Sequence, residues 1–329
     1  MNYREFSNTG RKVSEIGVGC WQFGGDWGEI SDADAISTLQ GAVDAGVTFF
    51  DTADVYGSGR SEELIGQFLS KTKANVFVAT KLGRFGTPGG DANYSKASFQ
   101  GFVDASLRRL GVEALDLVQL HCIPRVQLER AELWEWLRDI KKAGKIKGFG
   151  ASVECDDDAL YCMQQDGMES LQIIFNIFRQ KPSSTVFATA QAQKVALIVR
   201  LPLASGLLSG KYKADTSFAP QDHRTYNRDG QAFNVGETFA GLPFELGVKL
   251  ADDLKPLIGD TADSTMAQKS LRWILDHPAV TTVIPGAKNS AMAKANAVAS
   301  DMKPLSDSIH AQLEEFYNSK VKEHIRGPY

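Results

Sequence analysis

The sequence Phe50-Asp51-Thr52-Ala53-Asp54-Val55-Tyr56-Gly57 places a carboxylate and a phenol five residues apart, where an apolar run ends in a glycine-rich loop. Two later apolar runs also end on polar side chains: residues 76–81 end on a lysine, and residues 117–121 end on a histidine. Parallel α/β folds keep their chemistry at the carboxyl ends of their strands. The sequence therefore predicts that four strand-end groups meet at one edge of a parallel sheet: Asp51, Tyr56, Lys81 and His121.

The rest of the chain alternates short apolar runs with amphipathic segments, which is the pattern of parallel strands joined by crossover helices. Eight runs are predicted as strands: 16–20, 48–51, 76–81, 115–121, 148–152, 170–176, 194–201 and 281–285. Helices are predicted between them, including 32–45, 61–69, 96–110 and 129–143. Eight such units favour a closed (β/α)8 TIM barrel over an open sheet, and no GxGxxG fingerprint follows the first strand.

Other segments are expected to shape the two ends of this barrel. Residues 5–13 are predicted to form an N-terminal β-hairpin that turns at residues 8–10. Long insertions follow the third strand, at 83–95, and the seventh strand, at 212–244, which places both on the C-terminal face. Long loops on that face usually shape substrate pockets. A last amphipathic helix is predicted over 306–324.

Length and composition limit the class of protein. A barrel of this type takes roughly 250 residues plus insertions, so the 329 residues, 43% of them hydrophobic, are predicted to form a single domain, 1–329. The net charge is −4 and there is no long basic run, which argues against nucleic acid and anionic membranes as partners. No apolar segment approaches the ~20 residues that span a bilayer, and the first residues contain no hydrophobic signal core. A cytoplasmic location is expected.

Taken in order, the motifs of the chain resemble those of the aldo-keto reductase superfamily, in its bacterial and potassium-channel-β-like branches. Besides the four strand-end groups, they are FSNTG (6–10), VSEIGVG (13–19), GSGRSE (57–62), LASGLLSGK (203–211) and VIPGA (283–287). The resemblance covers nearly the whole chain. It implies a barrel whose bottom is plugged by the hairpin, and a reductase that converts aldehyde or ketone groups, of sugars or small aldehydes, to alcohols.

The four strand-end groups suit that reaction. Tyr56 is the candidate general acid, because a proton donor near the carbonyl oxygen offsets the negative charge that hydride transfer creates there. Lys81 beside the phenol would lower its pKa. A buried ammonium needs a partner, and the family pattern selects Asp51 rather than Asp54. A neutral His121 would donate an N–H to the substrate oxygen.

The remaining histidines and the cysteines lack such a context. The histidines are predicted as surface or helix residues: His223, His277, His310 and His324. The cysteines show no metal-like spacing and are predicted to be free thiols: Cys20, Cys122, Cys155 and Cys162. No set of His, Cys, Asp and Glu shows the spacing of a metal site, so no metal is expected.

The resemblance further implies a nicotinamide cofactor, NADP(H) rather than NAD(H). Ser152 and Gln172 stand at the positions that bind its carboxamide. Relatives often carry an asparagine where this chain has Val153, and Asn176 is a nearby polar group that would compensate. Arg200 replaces an aromatic residue that stacks on the nicotinamide in many relatives. Its guanidinium could stack in the same way, or point at an anionic or polyhydroxy substrate.

The phosphates and the adenosine of that cofactor would be bound by two further segments. The loop after the seventh strand supplies four residues: Leu203, Ser205, Gly206 and Lys211. Small residues there allow backbone N–H groups to approach a phosphate. After the eighth strand, Gly286 and Lys288 open a predicted helix whose N-terminus suits a ribose 2′-phosphate. Asn296 matches the asparagine that contacts adenine in the family, whereas Met292 and Ala295 replace polar contacts.

Three functions are compatible with these residues. The favoured one is an NADP-dependent carbonyl reductase or alcohol dehydrogenase acting on a small molecule. A cofactor-binding regulatory subunit of the channel-β type would retain all four strand-end groups and turn over slowly. A TIM-barrel lyase or aldolase would use Lys81 as a Schiff base. The substrate pocket is expected to contain four aromatic residues and three arginines, together with part of 212–244: Trp21, Phe23, Trp27, Phe85, Arg84, Arg125 and Arg200.

Overall fold

The predicted apolar runs form one eight-stranded parallel sheet in the computed structural model, which describes residues 1–85 and 90–329. A separate antiparallel hairpin precedes it. The strands are β1 (Tyr3–Glu5), β2 (Lys12–Ser14), β3 (Val18–Gly19), β4 (Phe49–Asp51), β5 (Phe77–Leu82), β6 (Leu117–His121), β7 (Phe149–Ser152), β8 (Met168–Ile174), β9 (Ala196–Arg200) and β10 (Val280–Val283). Strands β3 to β10 pair in chain order, and parallel bridges from Ile16 to Val283 and from Gly19 to Gly286 bring β10 against β3. The predicted (β/α)8 TIM barrel is confirmed.

Helices surround the barrel. They are α1 (Asp32–Asp44), α2 (Arg60–Leu69), α3 (Lys96–Leu110), α4 (Arg125–Leu128), α5 (Ala131–Lys142), α6 (Asp156–Cys162), α7 (Pro182–Thr185), α8 (Phe187–Gln193), α9 (His223–Tyr226), α10 (Phe244–Ile258), α11 (Met266–Leu275), α12 (Ser290–Ala297) and α13 (Asp307–Phe316). Local capping explains the sharp bounds of α3: the Ser95 hydroxyl accepts from the Ser98 N–H, and Gly111 ends the helix in a left-handed conformation. The helix predicted at 129–143 is shorter than expected, and α4 precedes it as a separate turn. The helix predicted at 306–324 ends at Phe316 and continues as a π turn. None of the described helices is long and apolar enough to cross a membrane.

The hairpin closes one end of the barrel with a small apolar cluster. Phe6 is fully buried, and its ring centroid lies 4.6 Å from that of Phe77 and 6.0 Å from that of Phe49. Further inward-facing members of the cluster come from the barrel strands and the segment after β10: Ala79, Leu117, Ala196, Ile198 and Ile284. The barrel interior is therefore filled from the hairpin end, and an accessible site is left at the opposite, C-terminal end of the strands.

The insertion at 212–244 folds over that C-terminal end. Its helix α9 reaches the loop after β3. There the backbone N–H of His223 donates to the Asp26 carbonyl at 2.8 Å, and the Tyr226 hydroxyl donates to the Asp26 carboxylate at 3.0 Å. The insertion predicted at 83–95 is described only in part, because residues 86–89 lie outside the described ranges. Two segments about 200 positions apart in the chain thus enclose one side of a cleft.

Candidate active site

The structure brings the four predicted strand-end groups together. Asp51 ends β4, Lys81 lies near the end of β5, and His121 ends β6. The Lys81 ammonium lies 2.5 Å from Asp51 Oδ1 and 3.2 Å from the Tyr56 hydroxyl, and it also donates to the Thr52 carbonyl at 2.8 Å. Because β4 and β5 are neighbouring parallel strands, their side chains converge at this end of the barrel.

The ion pair is almost completely buried. Lys81 is 1% exposed and Asp51 is 2% exposed. Burial opposes the charge on Lys81, but the Asp51 carboxylate and the Tyr56 phenol outweigh it and raise the pKa of the ammonium. An isolated buried charge would be strongly unfavourable. Asp51 is therefore what keeps Lys81 protonated inside the barrel.

The phenol of Tyr56 keeps its proton at neutral pH. Burial is the largest effect and raises the pKa of Tyr56 to about 12, while Lys81 acts in the opposite direction. The sequence led us to expect a net lowering, and this is not what the structure gives. Lys81 does stabilise the phenolate, but desolvation of the phenol is larger. Trp21 covers the ring, with centroids 5.9 Å apart and planes inclined by 20°.

His121 is a neutral imidazole. Its pKa lies well below the usual value because it is buried and because Arg84, Lys81 and Arg200 lie nearby. The ring meets that of Tyr56 edge-on, with centroids 5.7 Å apart. Its Nδ1 is buried and has no hydrogen-bond partner among the described residues. A neutral ring retains one N–H, as a hydrogen-bond donor to a substrate oxygen requires.

Two glutamines hold the other oxygen of Asp51. The Gln172 amide donates to Asp51 Oδ2 at 2.6 Å, and the Gln119 amide donates to the same atom at 3.3 Å. Gln119 is not among the residues predicted from the sequence, although a polar residue inside an apolar strand is a detectable signal. The Ser152 hydroxyl lies 3.4 Å from the Gln172 carbonyl oxygen. Gln172 thus connects the ion pair to the predicted carboxamide position.

Asp54 is a second buried carboxyl group that does not take part in this network. It is 1% exposed, and neither oxygen has a partner among the described residues. Burial, reinforced by Glu62, raises its pKa to about 7. The contacts therefore pair Lys81 with Asp51, as the family pattern indicated, and leave Asp54 without a counter-ion.

A cleft of about 670 Å³ opens above these groups. Asp51, Tyr56 and His121 line its floor, and Lys81 lies behind Tyr56. All ten residues predicted to contact a cofactor line it: Ser152, Gln172, Arg200, Leu203, Ser205, Gly206, Lys211, Gly286, Lys288 and Asn296. These residues come from four separate segments of the chain: Ser152, Gln172, 200–211 and 286–296.

The donors at the outer part of the cleft suit an anionic group. Lys288 is exposed and has no ion pair or hydrogen bond to a described residue, and its pKa is lowered by partial burial and by the nearby Arg224. Lys211 and Arg224 line the same cleft. Arg224 is not among the residues predicted from the sequence. Ser205 and Gly206 adopt left-handed conformations, with φ of 55° and 99°, and form a tight turn beside it. Arg224 is ion-paired with Asp222, so the positive charge without an ion-pair partner among the described residues comes from Lys211 and Lys288. Such charge next to a tight turn fits a phosphate.

Comparison with known proteins agrees with this geometry. A profile of the Aldo/keto reductase family matches residues 15–318. The chain belongs to the aldo/keto reductase family. A probable voltage-gated potassium channel subunit beta from Oryza sativa subsp. japonica is 29% identical over 98% of both chains. The aldo-keto reductase yakc [NADP(+)] from Schizosaccharomyces pombe is 28% identical over 92% of this chain and 88% of its own. The structure of a glycerol dehydrogenase from Gluconobacter oxydans superimposes with a TM-score of 0.78 and 25% identity, over 99% of this chain and 97% of that one.

Several sequence-based expectations about this aldo/keto reductase's pocket need correction. Phe23 is fully buried in the core and does not line the cleft, and neither do Phe85 and Arg125. Trp21, Trp27, Arg84 and Arg200 do line it. Asn176 is fully buried and does not line the cleft, and its amide donates to the Leu201 carbonyl and accepts from the Phe178 N–H, so it is not placed to compensate for Val153.

The structure also tests the predictions for His223 and the cysteines. His223 lies on helix α9, as a helix residue was expected to, but it is fully buried and packs against Trp21 and Trp27 with ring centroids 4.8 and 4.3 Å away. The contact joins segments that are distant in the sequence, so no local sequence pattern predicts it.

All four cysteines are free. Among the described residues, potential ligand atoms of Cys122, Glu154 and Glu237 lie within 4.8 Å of one another.

The unpaired Asp54 predicts a pH-dependent stability. Its folded pKa, about 7, exceeds that of an unfolded aspartate, so the folded state binds more protons between about pH 4 and pH 7. Stability therefore falls as the pH rises through this window. Replacing the carboxylate in Asp54→Asn should stabilise the protein by about 2 to 4 kcal/mol at pH 8 and flatten its pH dependence. Urea unfolding at pH 4.5, 6 and 8 measures this.

The exposed Asp263→Asn substitution is the matched control for Asp54. It removes the same charge from the surface and should leave the slope of stability against pH nearly unchanged. An Asp54→Asn protein that is less stable than wild type at pH 8 would show that the carboxylate has a favourable partner in solution.

Proposed function

We propose that this family member reduces aldehyde or ketone groups to alcohols, with NADPH as the reductant and Tyr56 as the general acid. The contact of the Tyr56 hydroxyl with the buried Lys81–Asp51 pair at the floor of the cleft carries this proposal. A protonated phenol beside a permanent positive charge can give up its proton as charge develops on a neighbouring oxygen.

Each of the four groups has a separate task in the proposed reaction. Tyr56 holds the proton on its hydroxyl until the substrate oxygen accepts it. Lys81 stabilises the phenolate that remains, across 3.2 Å. Asp51 fixes the position of the ammonium and keeps it charged. The neutral His121 donates an N–H to the substrate oxygen and orients the carbonyl group.

The cleft residues fit a nicotinamide dinucleotide, which would supply the hydride when it is bound. Ser152 and Gln172 lie beside the catalytic groups and would bind the carboxamide. The turn at Ser205 and Gly206, with Lys211, would bind the pyrophosphate. Arg200 lines the same part of the cleft and would contact either the nicotinamide face or the substrate.

The outer cations favour NADP over NAD. Lys288 and Arg224 lie close enough for Arg224 to lower the pKa of Lys288, and Lys288 has no anionic partner among the described residues. A ribose 2′-phosphate would supply that partner. The yeast relative named above is described as an NADP(+) enzyme, which agrees with this assignment.

The substrate is proposed to be a small carbonyl compound, such as a sugar or a short aldehyde. Trp21, Trp27 and Phe233 give the cleft an aromatic wall, which suits the apolar face of a sugar or an aldehyde chain. The similar Gluconobacter oxydans structure is that of a glycerol dehydrogenase, whose named substrate is also small and hydroxylated.

The two alternatives receive less support. A Schiff-base lysine must be unprotonated to attack a carbonyl, whereas Lys81 is ion-paired and its pKa is raised. A regulatory subunit with slow turnover would use the same cleft, and the rice channel subunit is a relative. Both functions use the same four groups, and the reductase is proposed because other similar proteins are named as an NADP(+) aldo-keto reductase and a glycerol dehydrogenase.

Removal of the Tyr56 hydroxyl tests the general acid. Tyr56→Phe should lower kcat for reduction of a small aldehyde by at least about 10²-fold, with NADPH affinity retained, because the aromatic ring is kept and the hydroxyl is not a proposed cofactor contact. Steady-state kinetics and a fluorescence titration measure the two quantities. Tyr226→Phe, which removes another hydroxyl at the cleft, is the control and should retain activity. Full activity of Tyr56→Phe would show that the proton comes from elsewhere.

Removal of the Lys288 ammonium tests the cofactor choice. Lys288→Ala should weaken NADPH binding about tenfold, the size of one lost charged hydrogen bond, and leave NADH binding unchanged. Titration of tryptophan fluorescence with both cofactors measures this directly. Lys294→Ala, an exposed lysine on α12, serves as the control. An equal loss for the two cofactors would place the 2′-phosphate away from Lys288.

A further inference from the structure

Glu237 is a buried carboxylate that the reaction described above does not use. It lies in the insertion folded over the barrel and lines the cleft, although it is only 5% exposed. Arg84 and Arg200 both contact one of its oxygens, Oε1, at 3.3 and 3.4 Å. Burial opposes ionisation of Glu237, but the two guanidinium groups outweigh it and hold its pKa below the usual value.

The second carboxylate oxygen of Glu237, Oε2, is available to accept a hydrogen bond from a ligand in the cleft. No described residue donates to it, yet it is not among the buried atoms that lack a partner. The Nε of Arg200, by contrast, is buried without a partner among the described residues. Glu237 therefore presents an ionised oxygen at the cleft surface, while Arg84 and Arg200 share its other oxygen, Oε1, as their counter-ion.

The cluster of Glu237, Arg84 and Arg200 lies close enough to Tyr56 and His121 to change the pKa values of both. Arg84 is the strongest charged influence on the pKa of His121, and Glu237 raises the pKa of Tyr56. Arg84 also lies over the ring of Phe233, 5.6 Å from its centroid, so the charged pair adjoins the aromatic wall. Glu237 lines the same cleft as Tyr56 and His121, so a substrate whose carbonyl oxygen is bound by those two groups has its other carbons in a cleft that Glu237 borders.

We propose that Glu237 is a specificity-determining residue, which accepts a hydrogen bond from a hydroxyl on the carbons that follow the reacting carbonyl and excludes substrates that carry a carboxylate or phosphate on those carbons. This inference rests on the proposed carbonyl reduction. An ionised carboxylate is an acceptor only, so it binds hydroxyl donors and repels anions. The two arginines hold it in place, and Glu237 in turn neutralises them toward anionic substrates.

Three aldehydes separate these effects. Propanal has no hydroxyl, glyceraldehyde adds hydroxyls to the same carbon chain, and glyceraldehyde 3-phosphate adds an anion. Wild-type protein with NADPH should prefer glyceraldehyde to propanal in kcat/KM and use the phosphate poorly. Glu237→Gln should reduce the preference for glyceraldehyde over propanal about tenfold, as for a lost hydrogen bond to a charged group. It should also raise the relative use of the phosphate by about tenfold or more, because Arg84 and Arg200 lose their counter-ion.

Two further variants keep the test decisive. Glu154→Gln removes a carboxyl group near the same cluster that does not line the cleft, and it should leave the preference for glyceraldehyde over propanal unchanged. Glu237→Asp retains the charge but shortens the side chain, so it should weaken the preference for glyceraldehyde and still exclude the phosphate. If Glu237→Gln leaves both ratios unchanged, or Glu237→Asp admits the phosphate as well as Glu237→Gln does, the inference is wrong.

A binding measurement distinguishes failure of this inference from failure of the proposed reaction. If wild-type protein reduces none of the three aldehydes, the proposed function fails. Quenching of tryptophan fluorescence by glycerol 3-phosphate, compared between Lys288→Ala and Lys288→Ala/Glu237→Gln, then tests Glu237 alone, because the Lys288→Ala background weakens binding at the outer cations. Affinity at least about tenfold tighter in the double variant supports the inference, and equal affinity overturns it.

Discussion

The buried pair of Lys81 and Asp51 is the constraint on which the site depends. An ammonium group with 1% exposure persists inside a barrel only if a carboxylate and further acceptors surround it. The contact of Lys81 with Tyr56, 3.2 Å away, then gives a protonated phenol a charged neighbour at the cleft floor. If Asp51 were absent, burial would favour a neutral lysine, and the phenolate would lose its stabilisation.

The barrel supplies this geometry through strand register rather than through a local motif. Asp51 and Ala79 are partners in the β4–β5 pairing, and Lys81 pairs with Gln119 on β6. Ala79 and Lys81 are two residues apart on β5 and face the same side of the sheet, so Lys81 and Gln119 lie on the face that carries Asp51. Gln172, from β8, crosses the barrel interior to reach Asp51. The ion pair is thus fixed by four strands, and the loops above it are free to define cofactor and substrate contacts.

The sequence was a good guide wherever the signal was local. All eight strands were predicted, because apolar runs bounded by turns mark a buried parallel sheet, and α3 has the predicted bounds because Ser95 and Gly111 cap it. The pairing of Glu237 with Arg84 and Arg200, and the burial of His223, were not predicted, since each joins segments far apart in the chain. Phe23 was misplaced because a chain position beside a strand end does not show which way the ring points. The upward shift of the Tyr56 pKa depends on burial, which its sequence neighbours do not reveal.

The most direct test of this account is a double-mutant cycle between Asp51 and Lys81, measured as kcat/KM for reduction of propanal with NADPH. Asp51→Asn, Lys81→Met and the double variant each disrupt the same pair. The account predicts strongly non-additive losses, with the double variant about as impaired as the worse single variant. Losses that add would contradict it, because they would mean that the two residues act on the reaction independently.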